Sequence, residues 1–72
     1  MQELKAELVA NVWKAIKSVG DTVEAGEAVV VLESMKMEIP VEARDGGTIV
    51  ELRVAEGDIV QEGDVIAVVQ SA

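Results

Sequence analysis

The chain has 72 residues, half of them hydrophobic, and its 14 acidic and 6 basic residues give a formal net charge of −8. This length predicts a single domain, residues 1–72, and no apolar window reaches the roughly 18 residues of a membrane span, so we expect a soluble protein without a membrane partner. The absence of cysteine and histidine excludes disulfides, thiolate zinc sites and the usual neutral-pH base, and the scattered acidic residues argue against nucleic-acid binding.

Short apolar stretches separated by glycine-containing turns run along the whole chain. Their valine and isoleucine side chains suit pleated strands, and the regular spacing of the turns is typical of a β-sandwich or barrel. The opening segment, residues 2–6, could alternatively form a helical turn. The pattern predicts an all-β fold with strands, in chain order, at Leu4–Val9, Val12–Ile16, Ala28–Leu32, Met37–Val41, Thr48–Val54 and Val65–Val69. Because nothing alternates in residues 28–32, the sequence leaves open which of those side chains face the core.

The chain repeats one pattern at an offset of 37 residues. Gly20–Glu33 aligns with Gly57–Gln70 with five identities in fourteen positions, and the glycines of both turns keep step. Two copies are too few for a solenoid, so we expect a closed unit with pseudo-twofold symmetry. When the repeat offset of 37 is added to the position of Lys36, the equivalent position lies one residue beyond the end of the sequence. The symmetry therefore makes its hairpin equivalent to the chain termini and predicts that the two lie at opposite ends of the molecule.

Acidic side chains and the single tryptophan are weaker candidates for function. Two groups of carboxylates could offer oxygen ligands to a hard cation, but the ligand order of an EF-hand is absent and solvated turns explain the same residues. We therefore predict no metal site, and no catalytic residue. Trp13 is predicted to be a core or half-buried anchor. The two carboxylate groups are Asp21, Glu24, Glu27 and Asp58, Glu62, Asp64.

The turn midway along the chain differs from the others because it joins two strands without a glycine. Its centre is a lysine between two methionines, Met35-Lys36-Met37, and Glu33 and Ser34 precede them. Methionine exposed on such a turn indicates a surface that meets a partner, since soluble proteins otherwise keep exposed apolar patches small. The alternative is a solvated lysine with both methionine side chains folded inward.

The segment Glu33-Ser34-Met35-Lys36-Met37 resembles the biotin-attachment signature of biotinyl domains, whose usual form is Glu-Ala-Met-Lys-Met. A Gly-Asp turn sixteen residues before the lysine and a Gly-Thr-Ile sequence at 47–49 extend the resemblance over essentially the whole chain. It is closest to small free-standing biotin/lipoyl attachment proteins and to the biotinyl ends of acyl-CoA and pyruvate carboxylase subunits. Ser34 stands where alanine is usual, and residues 17–20 leave no room for the protruding thumb of some bacterial carriers.

The resemblance implies a flattened eight-stranded barrel-sandwich hybrid of two antiparallel sheets, and the function of a non-catalytic biotin carboxyl carrier in the cytoplasm. Lys36 would carry biotin in amide linkage, and Glu33, Ser34, Met35 and Met37 would be recognised by a biotin protein ligase and by partner enzymes. A monomeric carrier would shuttle a carboxyl group between a biotin carboxylase and a carboxyltransferase, with an acyl-CoA carboxylase as the expected system.

Two other functions stay open from the sequence. Lipoyl domains share this fold and place a lysine on the same hairpin, commonly as Asp-Lys-Ala, so one alternative is a lipoyl-type swinging-arm carrier. The methionines on both sides of Lys36 favour biotin over lipoate. The other alternative is a β-sandwich binding module whose lysine stays unmodified.

Overall fold

The regular elements of the described chain are β-strands. The computed structural model describes residues 1–71, in which the strands are β1 Gln2–Lys5, β2 Ala10–Ala15, β3 Thr22–Val23, β4 Ala28–Ser34, β5 Met37–Glu42, β6 Gly47–Leu52, β7 Ile59–Val60 and β8 Val65–Ser71. They form two four-stranded antiparallel sheets, sheet A with the order β1-β8-β6-β3 and sheet B with the order β5-β4-β2-β7. Along the same residues, no helix has the length and apolarity needed to cross a membrane.

The six predicted apolar stretches each overlap an observed strand. β3 and β7 were not predicted from the apolar pattern, because two residues are too few to show an alternation. The helical alternative for residues 2–6 is wrong, since β1 pairs with β8 through Gln2–Val69 and Leu4–Ala67. The predicted all-β fold of two antiparallel sheets is confirmed.

The two halves of the chain correspond at the predicted offset of 37. Adding 37 to the positions of β2, β3 and β4 gives the positions of β6, β7 and β8. The hydrogen bonds that join the halves repeat in the same way. Gly20 N–H donates to the carbonyl of Ile49 and Gly57 N–H donates to the carbonyl of Val12, both at 2.8 Å. The same offset converts the strand order of sheet A into that of sheet B, so the predicted pseudo-twofold symmetry is confirmed.

The two Gly-Asp turns are built alike in both halves. Gly20 and Gly57 have φ angles of 96° and 94°, in the left-handed region that residues with a Cβ avoid. The aspartate after each glycine accepts the backbone N–H three residues before it, at 2.8 Å for Asp21 and 2.9 Å for Asp58. These carboxylates therefore stabilise the turns. Residues 1–71 contain no cluster of three or more acidic side chains placed to bind a metal ion, so the cation alternative gains no support.

The core lies between the two sheets and consists of aliphatic side chains from both. Along β4 the register shifts between Ala28 and Val30, so Val29 and Val30 are both buried despite being neighbours. This bulge explains why the sequence of β4 shows no alternation. The largest fully buried side chains are those of Leu32, Ile49, Ile66, Val12, Val29, Val30, Val60 and Val69.

Trp13 lies outside this core. The register between β2 and β4 shifts between Val12 and Lys14, which makes Trp13 the extra residue of a β-bulge. Its side chain is 44% exposed, and Lys14 Nζ lies 5.3 Å from the centroid of the indole ring, so both side chains are on the outer face of sheet B. Of the two predicted positions the core is therefore wrong, whereas the partly covered side chain fits the half-buried alternative. A bulge places two neighbouring side chains on one face, and only the strand pairing reveals it.

Candidate functional site

A two-residue turn at Met35 and Lys36 closes the β4–β5 hairpin. Ser34 pairs with Met37 at the end of the strands, and the two turn residues have φ angles of 51° and 67°. Positive φ at both central residues is the requirement of a type I′ turn, whose twist matches that of the strands it joins. Asparagine and glycine normally occupy such positions, and another L-residue there costs about 1–2 kcal/mol. The hairpin thus holds Lys36 in a backbone conformation that its own side chain disfavours.

The tip of this hairpin is open to solvent. Met35 is 92% exposed and Met37 is 63% exposed, and Lys36 between them is exposed as well. The predicted exposure of the methionines is confirmed, and the alternative with both of them folded inward is wrong. Two flexible apolar side chains therefore flank the amine and offer a contact surface to any protein that approaches it.

Two glutamates oppose each other at the strand pair next to the turn. Glu33 on β4 pairs with Glu38 on β5, and the other neighbour of Glu33 is Asn11 on β2. Like charges directly opposite each other destabilise a sheet, so this pair is unfavourable for folding alone. The attachment motif includes Glu33 but not Glu38. In a hairpin with a two-residue turn, residues at equal distances from the turn pair with each other. Glu33 and Glu38 are equally distant from Met35 and Lys36, so their pairing could have been predicted from the sequence.

The described residues near the two chain ends, Gln2 and Ser71, are held at the other end of β5. Gln2 is buried, and its side chain accepts the N–H of Arg44 at 3.0 Å and donates to the carbonyl of Asp45 at 2.9 Å. Ser71 pairs with Gly47, close to the same point. At about 3.3 Å per residue of strand, this point lies roughly 23 Å along β5 from the turn. The molecule measures 35 Å in its longest dimension, so Lys36 and the chain ends are at opposite ends, as predicted from the repeat.

Lys36 differs from the other three lysines of the chain in its contacts. Lys5 and Lys17 form ion pairs with Glu3 and Glu27 at 3.7 and 3.3 Å, and Lys14 lies over Trp13. Within residues 1–71, the ion pairs do not include Lys36. A covalently attached group needs an amine that another protein's active site can surround. The isolated, exposed Nζ of Lys36 fits an amide-linked prosthetic group.

The chain matches one protein-family model over nearly its whole length. Residues 5–69 match the family described as biotin-requiring enzyme, the biotin/lipoyl domain. The chain belongs to the biotin/lipoyl attachment family. Attachment domains of this family are carriers rather than catalysts.

The descriptions of two relatives refer to biotin. The chain is 46% identical to the biotinylated protein TB7.3 homolog of Mycobacterium leprae over 94% of this chain and 96% of that protein. It is 47% identical to the biotin/lipoyl attachment protein of Bacillus subtilis over 83% of this chain and 82% of that one. Both relatives are therefore of about the same length as this chain.

Two solved structures of carboxylases contain a region with the same fold. The urea carboxylase of Kluyveromyces lactis matches with a TM-score of 0.90 and 38% identity over 96% of this chain. A single-chain, multi-domain long-chain acyl-CoA carboxylase matches with a TM-score of 0.91 and 32% identity over 99% of this chain. The chain spans only 6% and 7% of these two proteins. The barrel-sandwich fold implied by the sequence resemblance is confirmed.

Proposed function

We propose that this protein is a biotin carboxyl carrier, with biotin in amide linkage to Lys36. The observation that carries the proposal is the position of Lys36 at the exposed apex of a Met-Lys-Met turn, at the opposite end of the molecule from both chain ends. Membership of the biotin/lipoyl family supports it, as does the relative described as a biotinylated protein. The carrier would serve a biotin-dependent carboxylase, and we propose an acyl-CoA carboxylase.

Attachment requires the Nζ of Lys36 to act as a nucleophile. A lysine amine is almost entirely protonated at neutral pH, and the chain contains no histidine that could remove the proton. A biotin protein ligase would therefore supply the base together with biotinyl-AMP. Nζ attacks the acyl carbon, the bond from that carbon to the phosphate oxygen breaks, AMP leaves and Nζ loses a proton. The amide is neutral, so the formal net charge changes from −8 to −9.

We propose that the residues around Lys36 are recognition residues for the ligase and the partner enzymes. Met35 and Met37 offer flexible apolar contacts that can be made and broken, and Glu33 and Ser34 lie on the strand that leads into the turn. A bound biotin supplies a ureido nitrogen that can hold a carboxyl group. The rigid hairpin positions the foot of that arm, and tethering raises the local concentration of its end near each active site.

The remaining parts of the proposal concern the protein as a whole. Residues 1–72 would form one attachment domain that catalyses no reaction itself and acts as a cytoplasmic monomer. It would visit a biotin carboxylase and a carboxyltransferase in turn. A carrier that shuttles must bind both transiently, and a small, strongly acidic protein with a single aromatic side chain suits transient contacts.

Loading by a biotin ligase tests the proposal. Incubated with a ligase, biotin and ATP, the wild-type protein should gain the mass of one amide-linked biotin in intact-mass analysis. Lys36→Arg keeps the charge and removes the acceptor amine, so it should abolish the gain completely. Lys14→Arg is the matched control and should load like the wild type. A wild-type protein that stays unmodified while a known substrate of the same ligase is loaded would contradict the proposal.

The methionines should affect loading without affecting the fold. Because Met35 and Met37 are mostly exposed, Met35→Ala and Met37→Ala should change the free energy of unfolding by less than about 0.5 kcal/mol, as expected for surface substitutions. The initial rate of loading should fall for both. Urea unfolding and timed intact-mass analysis measure the two effects. A loss of about 2 kcal/mol or more would place the methionine in the core instead.

The name of the Bacillus subtilis relative includes lipoyl as well as biotin, so a lipoyl-type carrier is the second candidate. Lysine loading would then proceed with a lipoate ligase, which forms the same amide with a different acid. Parallel reactions with the two ligases, read by intact mass, distinguish the candidates. We expect loading by the biotin ligase.

A further inference from the structure

The outer faces of the two sheets are symmetry mates, but they are covered differently. On sheet A, Val68 of β8 lies between Glu3 of β1 and Glu51 of β6. Glu3 forms an ion pair with Lys5 at 3.7 Å, and Glu51 forms one with Arg53 at 3.0 Å. Val68 is only 5% exposed although it is not part of the core cluster between the sheets. Charged side chains therefore cover the apolar centre of this face.

On sheet B the equivalent row carries one charged side chain, that of Lys14, whose Nζ lies over the Trp13 indole. Val31 of β4, the mate of Val68, lies between Lys14 of β2 and Pro40 of β5. The bulge adds Trp13 to this row, where the mate on sheet A is Val50. No ion pair crosses the row in residues 1–71. An indole that is nearly half exposed thus stands where the other half of the molecule carries a smaller side chain.

The outer surface of sheet B continues to the edge strand β7 and borders the turn at Met35 and Lys36. Ile59 on β7 is 68% exposed and pairs with Asn11, whose other neighbour is Glu33. Glu33 and Glu38 then form the boundary next to the turn. We call the surface formed by Trp13, Val31, Pro40 and Ile59, with the two glutamates at its rim, the sheet B face. Exposed tryptophan at the centre of a patch with a polar rim is typical of a protein-binding surface.

We propose that the sheet B face is the docking surface for the biotin carboxylase, an inference that rests on the proposed function. The partner surface would offer a pocket that takes the Trp13 indole and supplies an acceptor for the Lys14 ammonium over it, with basic side chains opposite Glu33 and Glu38. An enzyme that binds ATP and bicarbonate, both anions, needs a positively charged entrance, and this complements the two glutamates.

The charge of Lys36 makes this docking depend on loading. Before attachment, the ammonium of Lys36 in the turn offsets part of the charge of Glu33 and Glu38 next to it. Conversion to an amide removes that positive charge and leaves both carboxylates. A basic partner surface therefore binds the loaded carrier more tightly than the unloaded one.

A second copy of this chain is a poor occupant of the same face. Self-association across it would bring together two molecules that each carry a net charge of −8. Such like-charge contacts oppose association.

The test compares Trp13→Val with Val50→Ala on loaded carrier. Valine is the residue at the equivalent bulge of sheet A, so Trp13→Val keeps the fold, and Val50→Ala is the matched control. The rate of bicarbonate-dependent ATP hydrolysis by the biotin carboxylase of the same source organism is measured against carrier concentration. Trp13→Val should raise the KM for the carrier about tenfold, as expected for an anchor tryptophan, with kcat nearly unchanged. Val50→Ala should leave both constants within about twofold of wild type.

A direct contact can be observed at the same side chain. Trp13 is the only tryptophan, so 15N-labelled carrier gives one indole N–H signal, which should shift on addition of unlabelled carboxylase and shift less in unloaded carrier. An unchanged KM in Trp13→Val, an unmoved indole signal, slower ligase loading as the sole effect, or a Trp13-dependent dimer in sedimentation would each overturn the docking proposal. In all of these cases the wild type still loads. A wild type that fails to load overturns the proposed function itself.

Discussion

The lysine turn and the chain ends occupy equivalent places in the two halves of the molecule. β4 and β5 pair as β8 and β1 do, and the offset of 37 relates the two pairs. Two residues with positive φ close the first pair at its end, whereas the chain begins and ends at the second. The β-sheets therefore do not depend on a closed turn at this place. The residues of the turn are better explained by the attachment role that we propose for Lys36.

Circular permutation can exchange the lysine turn and the chain ends. Ser71 and Met1 are the equivalents of Ser34 and Glu38, which three residues separate. A permutant would replace Ala72 with Asn-Gly-Thr joined to Met1, and would open the chain between Met35 and Lys36. All strand pairings are kept, so it should fold. Loading of Lys36 should fall by about tenfold or more, because the amine is no longer held by a turn.

Intact mass measures loading of this permutant and circular dichroism measures its fold. The matched control carries the same link but opens between Asp45 and Gly46, which leaves the β4–β5 hairpin intact. It should load at the wild-type rate. Equal loading of both permutants would show that turn geometry is irrelevant to the ligase.

A second comparison concerns Gly47 and Ala10, which begin β6 and β2 at equivalent positions. A Cβ on Gly47 would clash with the carbonyl of Gln70 and would lie 3.0 Å from Cγ1 of Val69. Backbone cannot give way as a flexible side chain does, so Gly47→Ala should lower the free energy of unfolding by about 3 kcal/mol. Ala10→Gly should lower it by only about 1 kcal/mol. Urea unfolding measures the free energy of unfolding of both variants. Equal losses of stability would show that a Cβ at Gly47 does not clash with the backbone.

Glu27 and its equivalent in the other half, Asp64, differ in one ion pair. Each accepts the backbone N–H three residues earlier at 2.8 Å, but only Glu27 also pairs with a lysine, since position 54 carries valine where position 17 carries Lys17. The hydrogen bond from the backbone of Glu24 and the contact with Lys17 lower the pKa of Glu27 below its ordinary value. This stabilisation is present above the ordinary pKa and is lost as the pH falls through the lowered one.

Glu27→Gln should therefore make the protein slightly less stable at neutral pH and flatten its acid unfolding. The free energy of unfolding measured in urea between neutral and acidic pH shows both changes. Glu62→Gln is the control because residue 62 takes part in no ion pair among the described residues. If the free energy of unfolding falls with pH identically in wild type and Glu27→Gln, the contacts of Glu27 do not contribute to acid unfolding.

The repeat allowed much of the fold to be predicted from the sequence. Strands at 28–32 and 65–69 and the turns at Gly20 and Gly57 follow from apolar runs and from glycine's freedom at positive φ, which are local properties. The two-residue strands β3 and β7 could not be predicted, because they are strands only through their pairing with β6 and β2. The same holds for the buried Gln2, whose partners lie more than forty residues away.

The lysine motif, its methionine neighbours and its equivalence to the chain ends can be read from the sequence, because a motif and a repeat are properties of residue order. Only the tertiary structure decided that Trp13 faces outward and that Glu38 opposes Glu33. The same pairing shows that ion pairs cover one outer face, whereas its mate carries the Trp13 indole with Lys14 over it. These features depend on register and bulges between strands distant in the chain, where a shift of one residue moves a side chain to the other face.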